Sequence, residues 1–210
     1  MKTILFVLLL AGPLGLFAQN NPARRLPNPN ASFDKALVLY GELSGRTVLR
    51  HPGLASTPVA LNNPSTNRAE ILQSIEAALA AKQIVVLPAG EKFVLIGAKA
   101  HQAQLMASST NLPASKTPLF PRGSIQLQAA SLAQTLELYA SLKGKKLERS
   151  DLPPATMLVT LIQANELTKE ECLYAFETLI RWEGWELISV SADTVKAVPL
   201  AREPERQSAK

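Results

Sequence analysis

The sequence predicts an α+β fold of two tandem βαββαββ modules, each with two helices packed on small mixed sheets, joined by a Pro/Ser-rich linker. Three observations predict it. The first is an internal repeat. ALVLYGELSGRTVLR from Ala36 returns as TLELYASLKGKKLER from Thr135, and Leu37, Leu39, Tyr40, Leu43, Gly45 and Arg50 are answered by Leu136, Leu138, Tyr139, Leu142, Gly144 and Arg149 at a constant offset of 99. The second is patterning: in each copy, apolar residues at helical spacing alternate with short runs of strand type. The third is punctuation, because segments rich in Pro, Asn, Ser and Thr bracket the copies. A repeat fixes the unit of folding, here about 70 residues.

In the first copy Phe33, Leu37, Tyr40 and Leu43 lie on one helical face. Ser32 stands where a cap is wanted, Asp34 suits the first turn, and Gly45 suits a left-handed C-terminal residue. Thr47–Leu49 reads as a strand, His51-Pro52-Gly53 as a turn and Val59–Leu61 as a second strand. Asn67 with Glu70 opens another helix, striped by Ile71, Leu72, Ile75 and Leu79. Ile84–Leu87 and Phe93–Ile96 then form a hairpin. A leading strand is poorly supported here, since Leu26-Pro27-Asn28-Pro29 is a weak strand.

The second copy repeats the order. Ile125 and Leu127 suggest a leading strand, and Leu132, Leu136, Tyr139 and Leu142 a helix that stops near Gly144. Val159–Leu161 is a strand. Thr168 and Glu171 make a capping box, with Leu167 stapling onto Cys172. Leu173, Phe176 and Ile180 stripe the second helix, and Trp185–Val190 with Thr194–Val198 closes the unit as a hairpin. The core expected from the paired positions is Leu37/Leu136, Tyr40/Tyr139, Leu43/Leu142 and Ile75/Phe176. A unit of this size buries only about 60% of its unfolded surface. Packing against a neighbour is therefore an expected stabiliser, and open edge strands are natural docking sites.

Residues 1–18 read as a cleaved signal peptide: Lys2, the apolar run Ile4–Ala11, a Gly12-Pro13 break and Leu16-Phe17-Ala18 before Gln19. The organisation is then linker 19–31, module 32–97, linker 98–123, module 124–199 and a polar tail over 200–210. No integral span is expected after cleavage, and the expected location is the periplasm. Losing Lys2 leaves 21 basic against 17 acidic residues, a net charge of +4, a mild excess that suits solubility. The single cysteine, Cys172, excludes an internal disulfide and reads as a small buried hydrophobe.

The helix ending in Leu-x-Gly before a strand (Leu43-Ser44-Gly45; Leu142-Lys143-Gly144) and the second helix running into a hairpin (AEILQSIEAALAAKQIVVLPAGEKFVLI; ECLYAFETLIRWEGWELISVSADTVKAV) resemble the small N-terminal periplasmic domains of bacterial secretins. The likeness is greatest to the short domain shared by secretins and TonB-dependent receptors, and it covers both copies. It implies modules of the kind that form periplasmic rings in type II secretion or pilus export, without the pore-forming part. The implied partners are envelope proteins, a secretin or another secretion-system component, and a homo-oligomer is compatible with it. The competing class is a periplasmic ligand-binding module for a cell-wall glycan or a signalling peptide.

The sequence offers no enzyme constellation, and no cofactor or metal is expected. His51 precedes a Pro-Gly turn and His101 lies in the linker, so both read as surface residues, and no spacing suits metal ligation. The basic Lys143-Gly144-Lys145-Lys146 loop lacks the second glycine of a backbone-clamping loop, and the export signal argues against nucleic acid. Of the two tryptophans, Trp185 aligns with Ile84 and reads as core. Trp182 aligns with Ala81 and is the freer to be exposed. The candidate partner contacts are Trp182, Trp185, Lys143, Lys145 and Lys146.

Overall fold

The computed structural model describes residues 30–60, 67–110, 112–113 and 120–200. The expected signal peptide, residues 19–29 of the first linker and the tail from 201 lie outside the described residues.

In chain order the elements are β1 (Asn30–Ala31), α1 (Phe33–Ser44), β2 (Thr47–Arg50), β3 (Val59–Ala60), α2 (Arg68–Ala80), β4 (Ile84–Ala89), β5 (Phe93–Ala98) and α3 (Gln102–Ser109). They continue as β6 (Gln126–Ser131), α4 (Leu132–Leu142), β7 (Lys146–Glu148), β8 (Leu158–Ile162), α5 (Lys169–Trp182), β9 (Trp185–Ser189) and β10 (Thr194–Pro199). Among the described residues the fold is mixed α+β, with five helices and two mixed sheets beside a two-stranded β1–β3 pair.

Local chemistry sets the helix ends. The Ser32 hydroxyl accepts from the Lys35 N–H, and the Asn67 side-chain Oδ1 from the Ala69 N–H. The box at Thr168 forms in both directions: the Thr168 N–H donates to Glu171 Oε2 at 2.7 Å and the Glu171 N–H to Thr168 Oγ1 at 3.1 Å. A second box, Ser131 with Gln134, caps α4. Gly45 and Gly144 end the repeat-related helices α1 and α4 at φ of 68° and 70°, a conformation that side chains resist.

The larger sheet has the order β4-β5-β2-β8-β6. Strand β2 runs parallel to β5 and antiparallel to β8, so one sheet is shared by the two halves of the chain. An apolar cluster packs on each of its faces. Val48, Val94, Ile96 and Ile162 point into one apolar cluster with Leu37 of α1 and Ile75 of α2. Leu49, Phe93, Leu95 and Leu161 point into the other, with Leu105 of α3, Leu136 of α4 and Leu179 of α5. The smaller sheet, β7-β10-β9, carries its apolar face, Val195 and Ala197, towards the core.

The expected linker over 98–123 is corrected. Ala98 closes β5, Lys99–His101 is a single 3-10 turn, and α3 packs on β4 and β5 with Leu105 wholly buried. Further on, Phe120 and Leu167 exchange backbone hydrogen bonds. One leucine among Ala, Ser and Gln anchors α3, which is why its sequence reads as a spacer. Of the expected core pairs, Leu37/Leu136, Tyr40/Tyr139 and Ile75/Phe176 are buried, whereas Leu43 and Leu142 are half-buried at the helix ends.

Candidate docking surfaces

The five expected contact residues do not form one patch. Trp182 is buried, at 7% exposure, which corrects its reading as the exposed aromatic. Its indole N–H donates to Ser108 Oγ at 3.1 Å, and its ring lies 5.2 Å from that of His51. The reason is α3: Ala81 aligns with Trp182 in sequence, but only α5 has a helix and a sheet from the other half against it. Trp185 opens β9 half-buried. Lys143 is paired with Glu177 at 3.3 Å and lies over the Tyr139 ring. Lys145 donates to Ser189 Oγ at 2.9 Å. Lys146, at the start of β7, is exposed. β7 is an edge strand of the smaller sheet, bonded only to β10.

His51 is likewise not a surface residue. It is 3% exposed and stacks on His101, with ring centroids 4.2 Å apart. The Gly53 N–H donates to its Nδ1 at 3.1 Å, so that nitrogen is unprotonated and Nε2 carries the hydrogen towards Gln104 Oε1 at 3.0 Å. Burial holds the imidazole below its ordinary pKa, and the neighbouring His101 adds to the depression. The cluster joins the end of β2 to α3 and α5. The sequence signal for it is weak, because the two histidines lie 50 residues apart and α3, which begins just after His101, has no periodic apolar pattern.

The junction between the halves carries more polar ties. Asn165 Nδ2 donates to the Gly45 carbonyl at 3.0 Å and the Lys92 carbonyl at 2.8 Å, while Thr47 Oγ1 donates to Asn165 Oδ1 at 2.9 Å. Lys92 reaches Glu171 at 2.8 Å, and Tyr174 Oη donates to the Ser108 carbonyl at 2.9 Å. The halves are therefore joined by a strand pair, an apolar layer and this network.

A groove of about 480 Å³ opens on the α1 side of the larger sheet. Helix α1 covers Ile162 but stops short of the sheet's β6 edge, leaving Leu158, Thr160, Gln128 and Ala129 as a floor beside Val38 and Asp34. Leu158 is 46% exposed. Arg50 closes one end and is fully engaged: it meets Asp34 at 2.8 Å, donates to the Leu54 carbonyl and to Ser56 Oγ, and lies over the Phe33 ring. The β6 edge bends at a register shift between Leu127 and Ala130, with Ala129 at φ 52°. Such a bulge discourages uncontrolled edge pairing.

Among the described residues no group of three or more His, Cys, Asp or Glu is placed to hold a metal ion, and no helix is long and apolar enough to cross a membrane. Burial pushes the Cys172 thiol up to about 12, where it is a packing group rather than a nucleophile. The chain gives no significant match to any protein-family model, curated protein or solved structure.

Proposed function

We propose that the chain is an exported assembly protein of two tandem secretin-type βαββαββ modules, acting through protein–protein contacts with envelope components of a type II secretion or pilus-export system. The supporting observation is the pairing pattern. β2 runs parallel to β5, which is antiparallel to β4; β7 runs parallel to β10, which is antiparallel to β9. The remaining strands pair as β1 with β3 and β6 with β8, both antiparallel. The same arrangement thus recurs at the offsets of the sequence repeat. The two units meet through the β2–β8 strand pair and a sheet face, and pairing at a strand edge is a general mode of protein recognition. The patterning of Lys2–Ala18 supports export, and the partners on this reading are proteins, not nucleic acid.

The test is a pull-down from envelope extracts of the source bacterium, with the parent chain, Leu158→Arg in the groove, and Lys145→Glu with Lys146→Glu at the free β7 end. Recovery of a secretin or secretion-system component by the parent, lost in one variant, supports docking and locates it. Recovery of none by the parent sinks it. The groove also favours a second reading, since its volume lies in the range of small-ligand sites. A thermal upshift of the parent with a muropeptide or a short peptide, absent in Leu158→Arg, would favour that reading over docking.

A further inference from the structure

The outer face of the smaller sheet shows what the first half's sheet would be if nothing covered it. In the first half Leu49, Leu95 and Leu87 are cross-strand neighbours in one row. Leu49 and Leu95 are 0% exposed beneath the second half. The row at the corresponding register of the second half is Glu148, Lys196 and Ile188. Glu148 and Lys196 pair with each other at 3.8 Å, Lys196 also meets Asp151 at 2.8 Å, and Ile188 is 44% exposed. Phe93, 1% exposed, is answered by Thr194. Leu49, Leu95 and Phe93, covered by the second half, are thus answered by Glu148, Lys196 and Thr194, while Ile188 and Val190 at the β9 edge of the same sheet stay apolar and exposed.

The covering element shows the same contrast in reverse. Helix α5 is buried on two sides: Phe176 and Leu179 face its own unit, while Tyr174 meets Phe93 edge-on at 5.1 Å and Trp182 meets His51. Helix α2 is buried only along Ile71, Ile75 and Leu79. Where α5 has Tyr174 and Trp182, α2 has Gln73 and Ala81, both exposed.

We propose that these two faces act as caps: at the positions that are apolar in the internal interface, the outer sheet face carries Glu148, Lys196 and Thr194 and the outer α2 face carries Gln73 and Ala81, which disfavours head-to-tail stacking of copies. Terminal units of stacked arrays need a polar outer face to stay soluble. A heterologous contact that does not close would otherwise extend into filaments. The inference rests on the two-unit reading, not on docking to a secretion system. It implies that any partner approaches from the side, at the groove or a strand edge, rather than by extending the stack.

The test grafts the internal interface onto the ends. One variant carries Glu148→Leu and Lys196→Leu, a second carries Gln73→Tyr and Ala81→Trp, and a third carries all four. Sedimentation is followed from micromolar to millimolar concentration, with circular dichroism confirming the fold. The parent is expected to stay monomeric, the first two variants to associate when mixed, and the four-fold variant to at least double its mass with rising concentration. A folded four-fold variant that stays monomeric overturns the proposal. So does equal association by the sheet variant alone, which would owe nothing to the helix face. If the grafted chains do not fold, the parent decides. A monomer throughout supports the caps, and reversible association that Ile188→Lys abolishes overturns them.

Discussion

Tyr40 Oη donates a hydrogen bond to Glu76 Oε1 at 2.7 Å, tying α1 to α2, and Tyr139 does the same to Glu177 between α4 and α5. The repeat therefore extends from apolar spacing to a specific polar contact. In both tyrosines burial comes first, and the carboxylate second, in raising the phenol above its ordinary pKa. Tyr40→Phe and Tyr139→Phe should each cost about 1.5–3 kcal/mol, the range for a hydrogen bond to a charged group. The two bonds share no partner, so the losses should add in urea unfolding. A double variant losing much less than the sum would show that the two halves are coupled at these helices.

The two halves should unfold as one. The apolar cluster that holds Leu49, Phe93 and Leu95 also holds Leu136, Phe176 and Leu179, and β2 is hydrogen-bonded to β8. Calorimetry should give a single transition whose calorimetric and van't Hoff enthalpies agree. Two resolved transitions would mean that the shared sheet does not couple the halves.

Asn165 should be the costliest polar residue at the junction. Replacing it with Ala removes the acceptor of the fully buried Thr47 hydroxyl and the side-chain donor to the Gly45 carbonyl, while the Lys92 carbonyl keeps the Thr47 N–H. Each unsatisfied group costs about 1–3 kcal/mol, so Asn165→Ala should lose at least that much. Thr47→Val, which removes the donor to Asn165 and the acceptor of the Ala164 N–H at 3.3 Å but leaves Asn165 both carbonyl contacts, should lose less. A reversed order in denaturant midpoints would count against the network.

The sequence made the repeat visible because repeat-related positions do the same work in both halves: Leu37 and Leu136 are core, and Gly45 and Gly144 end helices. It hid the relation between the halves, because that relation depends on residues that differ between the copies. Leu49 and Glu148 occupy the same register, and only the structure shows that one is covered and the other is not. Helix α3 was lost for a related reason: Leu105 alone carries its burial, too little for a periodic signal. Once α3 is missed, Trp182 and His51 have nothing to pack on and read as surface. The groove was equally illegible, since α1 and β6, which bound it, lie about 90 residues apart in the chain.

Trp182→Phe should keep the packing against His51 but lose the bond to Ser108. Its cost should be near that of one hydrogen bond, about 1 kcal/mol. Trp182→Ala should cost about 3–5 kcal/mol, as for a buried aromatic. Comparable melting points for the two variants would mean that the indole ring contributes little to the junction.

The stacked histidines should make the junction acid-sensitive. His51 is held neutral by burial, with Gly53 donating to Nδ1 and the His101 ring against its face. Its pKa is lowered on folding, so the unfolded chain binds the proton more readily. Stability from this group is therefore complete above the unfolded value, about 6.5, and is lost as pH falls through the lower folded value. The melting temperature should drop on acidification below that point, beyond the fall due to carboxylates. His51→Gln should be less stable than the parent at neutral pH but show a shallower decline in acid. Parallel pH profiles for His51→Gln and the parent would remove His51 as the origin of the sensitivity.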